Sequence, residues 1–159
     1  MQVRSCRPNR ARLSLVLLAS IVPCAGRAAE PLPLDAAVQW DLIGSWAVDC
    51  QGRPSNGNPR YSYVRQGASL LIRRDTGALQ DENKVISGGL TDDGGIELVT
   101  EYKAFSRVMT SRYVKDNPDQ FHPVSNRDQN GVYTIQDGKL TRTGAAAPVM
   151  TRCPGTDRN

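Results

Sequence analysis

One histidine and four cysteines are the chain's whole stock of imidazole and thiol groups in 159 residues. Nucleophilic hydrolysis usually needs a base, most often histidine, within reach of a nucleophile. The single candidate, His122, stands beside Pro123 in the polar stretch 116–129 and reads as a solvent-exposed loop residue. Zinc needs several His or Cys ligands, more than this inventory supplies. Among the carboxylates, Glu97 and Glu101 fall on one strand face, about 13 Å apart by strand rise. That exceeds the separation used by either class of glycosidase, so they read as a wetted face.

Three further patterns concern ions. Asn126, Asp128 and Asn130 alternate ahead of Gly131, with Asp137 at the twelfth position, as in a calcium loop. However, the pattern opens on Asn and closes on the short Asp, and β-rich residues 132–136 follow where a helix belongs. A hairpin turn is the expected reading and a metal loop the weaker alternative. Asp92-Asp93-Gly94-Gly95 likewise reads as a turn. In Arg73-Arg74, strand alternation puts Arg74 on the face of Leu70 and Ile72. Either Arg74 has already left the strand at Asp75-Thr76-Gly77, or it contacts an anion at a pocket mouth, because an unpaired inward charge is very costly.

The elements that would position these residues begin after a leader. Residues 1–12 carry Arg4, Arg7, Arg10 and Arg12 without an acid and run into the apolar stretch 13–22, the order of a secretory signal. The stretch is about ten residues, where a membrane-spanning helix needs about twenty, so no stable membrane span is expected. Pro23 ends it and small residues follow, placing cleavage near Ala28. Cys24 sits where bacterial lipoproteins are acylated, but Pro23 precedes it where a small residue is wanted, so Cys6 and Cys24 are expected to leave with the leader. The expected organisation is a signal peptide at 1–28, a segment with a short helix at 29–45, a β-barrel domain at 46–153 and a flexible tail at 154–159.

Cleavage reverses the charge. The chain has 20 basic and 16 acidic residues; removing the five arginines of the first 28 leaves 15 basic residues against all 16 acids. The mature chain then offers no basic excess for nucleic acid. Its two cysteines, Cys50 and Cys153, lie near the two ends of the folded region and predict one disulfide in an oxidising compartment, periplasmic or secreted.

Short β-branched or aromatic runs bounded by turn residues fill the mature region: 46–50, 60–65, 69–74, 84–90, 95–102, 107–115, 132–136, 139–142 and 149–153. Gln66-Gly67, Asp75-Thr76-Gly77, Asn130-Gly131 and Asp137-Gly138 punctuate them as hairpin turns. Sequential hairpins make an antiparallel meander, and one of this length hides its edges by closing. The expected fold is all-β, a small up-and-down barrel of about eight strands. Alternation points Trp46/Val48/Cys50, Tyr61/Tyr63, Leu70/Ile72, Ile96/Leu98/Thr100/Tyr102 and Tyr133/Ile135 inward. Only 35–43 looks helical, with Asp35 as its N-cap and Ala36, Trp40 and Ile43 along one side. Stretches 51–59 and 116–129 are expected to be loops.

Trp40-Asp41-Leu42-Ile43-Gly44-Ser45-Trp46 resembles the start of a lipocalin-like barrel, where a helical turn leads through Gly-x-Trp into the first strand. With Asp49-Cys50 and a terminal strand ending in Cys153, the two ends also resemble a group of uncharacterised exported proteobacterial proteins. The resemblance implies a barrel in which Gly44 admits Trp46 to the closed end as a plug. It further implies that Arg142 or Arg152 lies over that ring, a cation–π contact of about 0.5–2 kcal/mol.

This inventory predicts a monomeric, non-enzymatic binding or envelope-associated protein without a cofactor, recognising an unknown small molecule or an envelope protein. The alternatives are a protein-interaction module, such as an inhibitor of a secreted protease or lysozyme acting through loop 51–59, and an enzyme.

Overall fold

The computed structural model describes residues 32–155. The leader, Cys24 and residues 156–159 lie outside them, and so do the expectations of cleavage, lipidation and most of a tail.

The chain enters through helix α1 (Pro33–Gln39) and continues as strands β1 (Gly44–Ala47), β2 (Arg60–Gln66), β3 (Ser69–Asp75), β4 (Gln80–Leu90) and β5 (Ile96–Tyr102). A 3-10 turn (Lys103–Phe105) leads to β6 (Arg107–Asn117), β7 (Gln120–Asp128), β8 (Tyr133–Gln136), β9 (Lys139–Leu140) and β10 (Met150–Arg152). Consecutive strands from β1 to β9 pair antiparallel. Closure comes from β10, which pairs with β1 on one side (Trp46 opposite Arg152) and with the start of β7 on the other (Phe121 opposite Met150). Eight strands, β1–β7 and β10, form the closed antiparallel barrel, and the β8–β9 hairpin takes the other half of the β7 edge.

Closure also sets the disulfide. Cys50 follows β1 and Cys153 follows β10, adjacent strands, which brings their Cα atoms to 5.3 Å, inside the span a disulfide requires. The predicted bridge is formed and ties the barrel seam.

Side-chain alternation points one face of each strand inward, and the interior differs between the two ends of the barrel. Trp46, Phe121, Leu70, Ile72, Ile96 and Leu98 are buried in the closed half, with Leu34, Ala37 and Trp40 of the α1 region packed against them. Each such large side chain is worth about 1.5–3 kcal/mol on burial. Gly44 is required here, because its φ of 131° is closed to other residues and lets the chain turn into β1. Trp46 is fully buried, donates its indole N–H to the Leu42 carbonyl at 2.8 Å and meets Phe121 edge-on at 4.7 Å.

Several expectations are corrected. Helix α1 starts at Pro33, with Leu32 rather than Asp35 at the N-cap, because proline is pre-organised for the first helical position. It ends at Gln39, so Leu42 escapes the helical period and is buried. Strand β1 stops at Ala47. Val48 therefore turns outward and is 37% exposed, although the alternation had placed it inside. Similarly, Tyr133 at the start of β8 is exposed and only Ile135 faces in. The largest correction is β7, which occupies most of the expected loop 116–129.

Candidate functional site

The open half of the barrel has a different lining. At the outer ends of β2 to β7, Tyr61, Arg74, Tyr102, Phe105, Arg107, Met109 and Asn126 surround a cavity of about 430 Å³ at the barrel mouth. Tyr61, Tyr102 and Asn126 also line a smaller void of about 100 Å³ beneath it, which reaches Tyr63, Tyr113 and Phe121.

Strand register assembles this lining. Tyr61 on β2 lies opposite Arg74 on β3, Arg74 opposite Asp81 on β4, and Tyr102 on β5 opposite Arg107 on β6. Strand β3 runs through Arg74 to Asp75, so the reading in which the arginine has left the strand fails. Its guanidinium makes a two-point contact with Asp81, Nε to Oδ1 at 3.0 Å and Nη2 to Oδ2 at 2.5 Å. Their side chains are 14% and 11% exposed, so the charges compensate each other away from bulk water. The same guanidinium lies 4.9 Å from the Tyr102 ring centre and 5.0 Å from that of Phe105. Phe105 belongs to the 3-10 turn, is 52% exposed and overhangs the rim; Ser106 after it holds a left-handed φ of 49° that aims the turn.

Burial raises the Tyr61 phenol to about 12 and those of Tyr63 and Tyr102 well above their ordinary value, with nearby Tyr113 as the next cause. All three are neutral at physiological pH. The amides below them are underused. Asn126 Oδ1 is buried without a hydrogen-bond partner among the described residues. Asn83, two residues deeper on β4 than Asp81, is 1% exposed with both amide atoms unpartnered. A buried polar atom left without a hydrogen bond costs about 1–3 kcal/mol.

The remaining candidates distribute elsewhere. Arg152, of the two candidate arginines, lies over Trp46 at 4.2 Å; Arg142 is exposed in the turn after β9, because that strand ends at Leu140. Arg152 also donates to the carbonyls of Ile43 and Asp41 and pairs with the Asp41 and Asp119 carboxylates. The calcium-like stretch separates. Asn126 faces the cavity, whereas Asp128 Oδ1 accepts the Asn130 and Val132 backbone N–H groups, both at 2.9 Å, closing a hairpin turn. Asp137 occupies the next turn at φ 50°. Among the described residues no three His, Cys, Asp or Glu side chains converge on a metal position. His122 is not a loop residue: it lies in β7, partly buried, with Nδ1 2.9 Å from Asp116 Oδ2.

Tyr61, Tyr102, Phe105, Arg107 and Met109 were not legible as site residues. Inward alternation of Tyr61 and Tyr102 was the available signal, but only the strand register gathers them around Arg74.

No family model matches the chain, and no curated protein matches it. Among solved structures the chain is similar to the crystal structure of pallilysin (Tp0751) of Treponema pallidum, at 17% identity, covering 75% of this chain and 86% of that one, with a TM-score of 0.45.

Proposed function

We propose that this is an exported, non-enzymatic binding protein that holds a small organic ligand in the open mouth of its barrel. The observation that carries this reading is the mouth cavity. At about 430 Å³ it falls within the roughly 300–1,000 Å³ of small-molecule sites. Its walls set aromatic and apolar side chains (Tyr61, Tyr102, Phe105, Met109) beside three polar ones (Arg74, Arg107, Asn126), and such sites combine affinity with orientation in this way. The disulfide supports an oxidising compartment. Native mass spectrometry of protein purified from the periplasm without denaturation tests the reading. A bound mass that a bulky Met109→Trp substitution in the mouth removes is expected; a consistently empty protein overturns the reading.

A second reading, a protein-interaction module, draws on loop 51–59. Asn58 accepts the Asp49 N–H at 2.8 Å and donates to the Asp49 and Arg53 carbonyls, and Arg60 holds the Cys50 carbonyl at 3.0 Å. These bonds hold an exposed loop rigid beside the disulfide, as a protein-docking loop requires. A stoichiometric partner captured from envelope extract and lost on Arg53→Ala would favour it.

A further inference from the structure

The lining of the mouth cavity restricts the charge, shape and polarity of a guest. Resting on the ligand-binding reading of this mouth, we infer that the cavity takes a small aromatic monoanion, its acid group at Arg74 and Arg107 and a ring N–H or O–H toward Asn126.

Charge comes first. The lining contains two arginines and no carboxylate. Asp81 engages Nε and Nη2 of Arg74, which leaves the guanidinium's Nη1 without a carboxylate partner. Arg107 opens β6 directly opposite Tyr102, whose ring carries Arg74 on its face, and both arginines line the cavity. Among the described residues Arg107 has no ion-pair partner. One net positive charge therefore remains after Asp81 is counted, which suits one carboxylate. A cation would meet two guanidinium groups.

Shape comes next. Tyr102 and Phe105 both lie about 5 Å from a flat guanidinium, and with Tyr61 they leave planar surfaces at the rim. Offset or edge-on packing against such rings favours a flat guest. Met109 on the neighbouring strand β6 supplies an adaptable apolar surface. Polarity at the floor completes the description. The Asn126 Oδ1 acceptor has no donor among the described residues, and a guest hydrogen would satisfy it where an all-carbon ring would not.

Isothermal titration calorimetry on the mature protein at neutral pH separates the possibilities, with indole-3-acetate, its neutral counterpart indole-3-ethanol and cationic tryptamine as probes. The acid should bind at least about tenfold tighter than the alcohol, and tryptamine weakest. Arg107→Gln should bring the acid to the alcohol's affinity and leave the alcohol unchanged. Arg127→Gln, an exposed arginine outside the lining, should change neither. Arg74→Gln combined with Asp81→Asn removes a compensating pair and leaves the positive charge of Arg107, so it should reduce the acid's advantage less than Arg107→Gln does. If the alcohol binds as tightly as the acid and Arg107→Gln has no effect, the aromatic-acid inference fails while the binding mouth stands. If no probe binds and the Asn126 side-chain amide resonance is unmoved by all three, the binding mouth fails with it.

Discussion

Arg152 concentrates three kinds of interaction in one side chain that is 8% exposed: a stacked ring, two backbone carbonyls and two carboxylates. Arg152→Met keeps the stem over Trp46 but removes the donors. A loss of about 2–4 kcal/mol in urea unfolding is expected, below the worst buried cases because Asp41 and Asp119 are exposed enough to rehydrate. Lysine should not rescue it, since a point charge cannot reproduce a planar fork. Arg142→Gln should stay within about 0.5 kcal/mol of the parent. The tyrosines give a pH signature. Their native pKa values lie above the unfolded value near 10, so native protein resists ionising them and unfolded chain does not. The stability they contribute is whole below pH 10 and is lost as pH rises through about 12, where Tyr61 titrates. Urea midpoints should therefore fall steeply over that window, and phenolate absorbance of the folded protein should lag that of the unfolded chain.

Between the strands, the β3–β4 turn supports loop 51–59. Gly77 holds a φ of 76°, and a Cβ there would stand 2.4 Å from the Pro54 carbonyl oxygen. Gly77→Ala should cost more than about 1 kcal/mol and raise hydrogen exchange in loop 51–59, whereas Gly67→Ala, with open space around it, should disturb only its own turn. Most strands were legible because the hairpin turns are marked by glycine and the inner faces alternate. Strand β7 was not. Pro123 lacks the N–H a ladder needs, and it is tolerated because the β6–β7 register shifts between Arg112 and Tyr113, beside the Tyr113–Pro123 pair. Further along, Ser125, Asn126, Arg127 and Asp128 show no apolar alternation, since Asn126 faces the mouth cavity instead of packed core. The feature that concealed the strand is the one that makes it part of the site. The site was legible only through Arg74, whose inward register signalled a mouth; its neighbours required the pairing of distant strands.

For the whole molecule, β10 closes the barrel, one bridge ties its seam and one open end carries the candidate site. Cys50 and Cys153 are separated by 103 residues, and a loop of that length constrains the unfolded chain by up to about 4.7 kcal/mol. Cys50→Ser with Cys153→Ser should lose about 2–4 kcal/mol, read from thermal or urea unfolding, and native strain or residual unfolded structure sets the shortfall. Thiol titration of the unreduced, unfolded protein lacking residues 1–28 should find no free thiol. The closed half, packed on Trp46 and Phe121, can then hold the strands in register while the mouth remains hollow. A high-resolution crystal structure of the natively purified protein tests that hollowness most directly. Ligand density is expected in the mouth, against Tyr102 and Met109 and within hydrogen-bond distance of Asn126 Oδ1. A mouth filled by its own side chains, with Phe105 and Arg107 folded inward onto Tyr61, would contradict it.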